Sequence, residues 1–335
     1  MNEHQTAPKL LLPSEYLAEA TRLVGGAKRR VYLIGLTLFR DDVTKNFIDA
    51  IAAAAERGVD THVAADFITF AYAISGFRSV PLTYRSRSIS AITNLKKRLT
   101  RAGVQFRWLG QHYGPMFMSR THSKWLVVDD VAFSFGGVNT EGAAFSGHVD
   151  YMFKMENAHL ADLLAAEHRA IETADRARQT SRNHRAKTDF GTMLFDGGKA
   201  GRSIIYNTAV DLARRADEIL LVSQYCPTGI LGKILKRKPA RIYFNRLENV
   251  SSKFNRIMIR LGKRDWRENN LYERSDYLHA KFIIFTLPDG TKRAIAGSHN
   301  FVAASSRLGT REVALATDSA AIISQLEKFY EEYVK

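Results

Sequence analysis

Thr121-His122-Ser123-Lys124-Trp125-Leu126-Val127-Val128 is the stretch that decides the fold. A histidine and a lysine two positions apart enter an apolar run, and in a β-strand residues i and i+2 share one face. His122 and Lys124 are therefore expected side by side. Asp129 follows, and after six intervening residues comes Gly136-Gly137-Val138-Asn139. The phrase then recurs. Tyr277-Leu278-His279-Ala280-Lys281 leads into Phe282-Ile283-Ile284-Phe285, and Gly297-Ser298-His299-Asn300 comes after it. Position 286 is Thr where the first copy has Asp129.

An imidazole and an ammonium, supplied once by each copy, would surround a phosphate with two nucleophile or acid candidates and two cations. That chemistry asks for no metal and no cofactor. The glycines let main chain come close, so Gly137, Ser298 and the amides of Asn139 and Asn300 are expected near the phosphate oxygens. A reacting histidine also needs an acceptor on its second nitrogen. Each half offers one downstream. Asp150 lies 11 residues past Asn139 and Glu312 lies 12 past Asn300, both at the start of an apparent strand.

The flanking sequence supports a duplication. In the first half a helix over residues 14–28, a buried strand over 30–39, an Ala-rich helix over 41–56 and a strand over 60–67 make a β-α-β start. Residues 68–94 show no clean period and read as an irregular insertion, followed by a basic helix at 95–102 and a strand at 104–109. The second half repeats the order: helix 207–216, strand 218–226, short helix 229–236, strand 240–245, helix 250–261, then the second motif. Residues 158–171 read as a helix and 172–187 as a charged continuation or linker, which places the boundary near residue 185, between halves 10–185 and 186–335. The expected fold class is α/β: two similar halves, each a mixed β-sheet flanked by helices, packed as a pseudo-dimer around one site.

Composition bounds the partners. The 335 residues suffice for two ordinary domains, with 49 Lys and Arg against 34 Asp and Glu giving a net charge of +15. Such a chain attracts anions, and nucleic acid and anionic phospholipid both qualify. Cys226 is the sole cysteine, so no intrachain disulfide forms. The first nine residues are polar, without the apolar core of a secretory signal, and no apolar run approaches 18 residues. The expectation is a cytoplasmic protein, peripheral at the inner membrane surface and sufficient as a monomer, because both half-sites lie in one chain.

The paired motifs resemble the HKD motifs of the phospholipase D superfamily from about residue 30 onward. Phe47-Ile48-Asp49-Ala50-Ile51, Arg57-Gly58-Val59, the Gly-Gly-x-Asn and Gly-Ser-x-Asn turns and Leu278-His279-Ala280-Lys281 look most like bacterial cardiolipin synthases and related phosphatidyltransferases. The resemblance implies a covalent phosphohistidine on His122, acid–base work by His279, carboxylate support from Asp150 and Glu312, and a supporting role for Asp129. Asp289 reads as a turn residue rather than a displaced motif aspartate. Tyr113 and Phe117, in an apolar loop at 113–118, would line an acyl entrance, and the basic amphipathic helix at 250–261, with Lys263 and Arg264 beyond it, would meet a membrane. The competing reading is a nuclease of the same superfamily, with Arg85, Arg87, Lys96, Lys97, Arg98, Lys236, Arg237 and Lys238 as a backbone groove. A third reading, a binding protein on a degenerate fold, rests on Thr286 alone and is opposed by both intact His-x-Lys pairs.

Overall fold

A computed structural model describes residues 7–70, 82–111, 120–250, 253–266 and 270–335, with side chains 82–88, 253–254 and 261–265 left aside. Among the described residues two seven-stranded mixed sheets carry the fold. The first contains β1 (Lys9–Leu11), β2 (Arg30–Gly35), β3 (Asp60–Asp66), β4 (Gln105–Leu109), β5 (Trp125–Val128), β6 (Val131–Ser134) and β8 (Met152–Glu156), in the order β1-β8-β6-β5-β2-β3-β4. A short strand β7 (His148–Val149) stands apart from it. The second contains β9 (His184–Thr188), β10 (Gly191–Gly197), β11 (Glu218–Val222), β12 (Ala240–Tyr243), β14 (Phe282–Thr286), β15 (Lys292–Gly297) and β16 (Arg311–Thr317), in the order β12-β11-β14-β15-β16-β10-β9. Strand β13 (Tyr277–Leu278) pairs in parallel with β7 and ties the halves together.

Six positions match between the sheets. The series β1-β8-β6-β5-β2-β3 corresponds to β10-β16-β15-β14-β11-β12, with β4 and β9 added at opposite edges. Both motif strands, β5 and β14, are thus central, flanked on one side by an antiparallel hairpin partner and on the other by the first strand of a β-α-β unit.

Alternation along the strands decides what each face buries. In β2, Val31 and Leu33 pack outward against α1 (Pro13–Gly26) and α2 (Lys45–Glu56), while Tyr32 and Ile34 face inward. In the second half, Ile283 and Phe285 of β14 point to the outer core, and Phe282 and Ile284 point inward. The inner faces share one core, and apolar residues of two helices, α5 (Ala158–Arg176) and α10 (Ala320–Phe329), join it from between the sheets. Outside the second sheet lie α6 (Ile204–Arg215) and α7 (Gly229–Leu235). Local capping agrees with these limits. Asn157 accepts the Leu160 N–H at 2.8 Å to start α5, and Ser203 accepts that of Tyr206 at 2.9 Å to start α6.

Two expectations change and one open reading is decided. Residues 82–101 form a helix, α3 (Leu82–Arg101), where an irregular insertion was expected through 94. The charged segment after 171, left open as continuation or linker, continues helix α5 as far as Arg176. Residues read as linker contribute β9, and the boundary expected near 185 falls inside that strand. The remaining helices are α4 (Gly142–Ser146), α8 (Lys253–Trp266), whose bounds lie later than the expected 250–261, and α9 (Ala303–Leu308), with a π-helical turn at Tyr330–Val334. No described helix is long and apolar enough to cross a membrane.

Candidate active site

The site forms where each motif strand meets the other half. The His122 N–H donates to the Arg311 carbonyl at 2.8 Å, and the Arg311 N–H donates back to Arg120 at 2.8 Å. On the other side, the N–H groups of His279 and Ala280 donate to the Val149 carbonyl at 2.9 Å. These links place each histidine beside the residue that follows its main-chain partner, which is a carboxylate in both cases. His122 Nδ1 lies 3.0 Å from Glu312 Oε2, and His279 Nδ1 lies 2.7 Å from Asp150 Oδ2. The dyads are crossed: each half's histidine is held by the other half's acid.

The lysines lie beneath. Lys124 and Lys281 are buried, and each Nζ donates to the carbonyl of the histidine two residues earlier, that of Lys124 at 2.8 Å. Burial pulls Lys124 down to about 8 and Lys281 to about 7, with Glu312 and Asp150 acting in the opposite sense. Burial also lowers His122, against the pull of Glu312, and holds His279 well below the usual imidazole range, helped by Lys281. Glu312, although burial pushes it up, is held down to about 2 by His122, His299 and Lys124. Asp150 differs, since burial outweighs Lys281 and raises it.

The glycine turns make this packing feasible. A Cβ on Gly136 would sit 1.8 Å from the Tyr151 carbonyl oxygen, and one on Gly297 2.3 Å from that of Val313. Gly137 and Ser298, like Lys124 and Lys281, lie behind the cavity wall, and both contact the carboxylates. The Gly137 N–H donates to Asp150 Oδ1 at 3.1 Å, and a Cβ there would fall 2.6 Å from Asp150 Oδ2 and 2.8 Å from Lys281 Nζ. Ser298 Oγ donates to Glu312 Oε2 and accepts the Val313 N–H at 3.0 Å. Asn139 and Asn300 do line the cavity, and each Oδ1 is without a hydrogen-bond partner among the described residues.

Asp129 supports the fold rather than the cavity. It is absent from the cavity wall, and its carboxylate accepts N–H groups from Lys28 at 3.0 Å, Arg29 at 2.7 Å and Arg30 at 3.1 Å. It anchors the β5–β6 turn to the start of β2. Tyr113, Phe117 and the loop at 113–118 lie outside the described residues, as do the side chains of Arg85, Arg87, Lys263 and Arg264.

The dyads open into a cavity of about 700 Å³. Leu36, Ile68, Met258, Val302 and Leu308 form its apolar wall, and Gln224, Tyr277 and Asn255 are among its polar groups. Two titratable residues escaped the motif reading. Glu141 accepts from Asn139 Nδ2 at 3.2 Å and is pushed up by burial, while the second half has Val302 at the matching offset from Asn300. His148 has its ring 5.3 Å from that of His279 and is lowered by burial to about 4. Its signal was present, because His148 and Asp150 are two residues apart near a short strand, the same i, i+2 relation that pairs histidine with lysine.

Duplicated mixed sheets, with two His-x-Lys strands closed by exchanged carboxylates, agree with the architecture that the resemblance to the phospholipase D superfamily implies. Residues 21–171 of the chain match the family described as "Cardiolipin synthase, PLD-like domain". Cardiolipin synthase B of Escherichia coli is 28% identical over 184 residues, which cover 51% of this chain and 39% of that protein. The chain thus matches well under half the length of that relative. Among solved structures, phosphatidylserine synthase of Haemophilus influenzae Rd KW20 aligns with a TM-score of 0.73 at 15% identity, covering 98% of this chain and 86% of that one. Polyphosphate kinase of Porphyromonas gingivalis aligns with a TM-score of 0.63 at 12% identity, covering 97% and 46%. These two likenesses concern the fold.

Proposed function

We propose that the protein is a phosphatidyltransferase or phosphodiesterase acting on phospholipids by two displacements through a phosphohistidine. The crossed dyads carry this reading. With Nδ1 of His122 committed to Glu312, Nε2 attacks phosphorus, and the ionised Glu312 stabilises the imidazolium-like adduct as the P–O bond breaks. His279, held by Asp150, gives a proton to the leaving alcohol and then takes one from the incoming water or alcohol, whose oxygen displaces His122. Lys124 and Lys281 offset charge on the non-bridging oxygens, a kind of contact worth about 3 kcal/mol or more. Asn139 and Asn300 offer hydrogen bonds at the cavity wall.

Several observations favour a lipid. The wall next to the reacting groups is apolar, Leu308 at the cavity is 38% exposed, and Ile257 on α8 is 53% exposed one residue from the cavity-lining Met258. The net charge of +15 suits an anionic surface, and the relative of highest sequence similarity given above is a cardiolipin synthase. An anionic glycerophospholipid such as phosphatidylglycerol is the proposed donor, and a peripheral encounter with its membrane the proposed setting. Four of the basic residues that would serve a nuclease groove lie elsewhere. Lys97 and Arg98 line a separate cleft with Arg40 and Arg101, Lys236 sits 5.2 Å from the Trp266 ring, and Lys238 donates to the carbonyls of Arg214 and Ala216.

Mass spectrometry decides among the outcomes, after incubation with phosphatidylglycerol–phosphatidylethanolamine liposomes and, separately, with single- and double-stranded DNA. An exchanged phosphatidyl product that disappears in His122→Ala and in His279→Ala is expected. Phosphatidic acid alone would make the enzyme a lipase. Cleaved DNA with untouched lipid would overturn the lipid reading, and substantial turnover in either variant would remove the two-histidine mechanism.

A further inference from the structure

Behind the first sheet's inner face lies a second group of histidines that the reaction does not use. His62 is on β3, while His168 and Glu172 are one turn apart on α5, an i, i+4 pair that shares a helix face. All three are buried, and none lines the active-site cavity. One ligand-type atom from each lies within 4.8 Å of the others. We propose that His62, His168 and Glu172 bind one transition-metal dication, zinc by the character of the ligands, which fastens α5 to β3.

The spacing suits the ion. Zinc with bonds of about 2.0–2.2 Å to imidazole and carboxylate sets tetrahedral ligands roughly 3.3–3.5 Å apart. His62 Nδ1 is 3.1 Å from Glu172 Oε2 and His168 Nε2 is 3.7 Å from Glu172 Oε1, each histidine facing one oxygen of the same carboxylate at a separation close to that edge. The outer contacts suit it as well. Ligating histidines ordinarily pass their other N–H to a carboxylate, and His62 Nε2 lies 3.3 Å from Asp60 Oδ1. Asp60 is itself held by the Tyr32 hydroxyl, which donates to Oδ2 at 2.5 Å.

A hydrogen-bonded cluster without metal would account for His62 but not for His168. That residue is fully buried, yet among the described residues Nδ1 has no hydrogen-bond partner and Nε2 has only the Glu172 carboxylate, at a long 3.7 Å. Buried polar atoms are rarely left so. Arg176 is 3.6 Å from Glu172, but its side chain is 58% exposed and free to swing into solvent. Because α5 packs between the two sheets, fixing it to β3 would stiffen the contact on which the crossed dyads depend.

The test uses the full tag-free chain, stripped with chelator, loaded with Zn²⁺, desalted and assayed for metal and thermal midpoint. The active-site histidines are controlled for with a His122→Ala/His279→Ala variant. One zinc per chain is expected in the wild type and in that variant, with a midpoint raised by several degrees, and none in His168→Gln. Co²⁺ in place of Zn²⁺ should give visible d–d absorption only where His168 is present. No retained metal and an unchanged midpoint would overturn the proposal, as would retention in His168→Gln with loss in the active-site variant. Should His168→Gln fail to fold by far-ultraviolet dichroism, Glu172→Gln gives the same reading.

Discussion

The two half-sites are built alike and charged differently. Each has a His-x-Lys strand, a small-residue turn and an asparagine, and each histidine borrows its acid from across the interface. Yet Glu312 is held ionised, down to about 2, whereas burial raises Asp150, and Lys281 is pulled to about 7 while Lys124 stays nearer 8. A histidine backed by a fixed negative charge is the better seat for a covalent adduct, and one whose acid is more easily protonated is the better proton shuttle. The contrast supports the proposed division, in which His122 attacks and His279 transfers protons.

Breaking each dyad in turn is the strongest test of that asymmetry. Glu312→Gln and Asp150→Asn should each lower kcat by about 10²–10⁴, the scale on which losing the acid behind a catalytic histidine is felt. Their signatures should differ. In Glu312→Gln the phosphoenzyme should form slowly, and in Asp150→Asn it should persist, because the water or alcohol is poorly activated. Intact-protein mass spectrometry with peptide mapping reads both. An adduct on His279 would reverse the assignment, and a Glu312→Gln variant with unimpaired adduct formation would separate that acid from His122.

The pH profile should sharpen the same contrast with a smaller effect. The lysines act as cations, and burial holds them below the usual lysine value of 10.5, so raising pH through about 7 to 8 removes charge from Lys281 first and then Lys124. The rate should fall across that window. His122 must be neutral to attack, and burial lowers it from 6.5, so the acid limb should lie below 6.5. Measurement of kcat/KM across both limbs checks this. A rate still rising at pH 9 would mean that the lysine charges do not assist the reaction.

The chemistry was legible because its residues sit in contiguous phrases: alternation alone puts His122 beside Lys124 and His279 beside Lys281. Asp150 and Glu312 were also found, but not their exchange between halves, since which acid meets which histidine is decided by the β7–β13 pairing and the Thr121–Arg311 bridge. Such contacts leave no local pattern. Strand β9 was read as linker because it is an edge strand, HRAKT, with no buried residue and no apolar run. Helix α3 was missed over 82–94 because its Ser, Thr and Arg residues blur the apolar period. Glu141 was passed over because Val302 stands at its offset in the second copy, and the duplication drew attention only to what repeats.

The smallest expected effect on activity concerns the one position where the motifs differ. At the end of β5, Asp129 takes a positive φ of 51° and accepts three main-chain N–H groups at the start of β2. At the end of β14, the Thr286 carbonyl accepts the Asp217 N–H at 2.8 Å, and Asp289 holds its own hairpin by accepting the Thr291 N–H at 2.9 Å. The second half thus closes the same junction with main chain and a longer turn, and the motif aspartate is a structural clasp. Five residues of strand separate it from Lys124, roughly 16 Å at about 3.3 Å per residue. Asp129→Ala should cost about 1–3 kcal/mol of stability, from orphaned N–H groups and from alanine at positive φ, and leave kcat within about threefold. Asp129→Asn, which keeps an acceptor and tolerates that φ, should lose less. Denaturant unfolding and kcat measured on the same preparations separate the two effects. A collapse of kcat with stability intact would place Asp129 in the catalytic machinery and make Thr286 a real deficit of the second half-site.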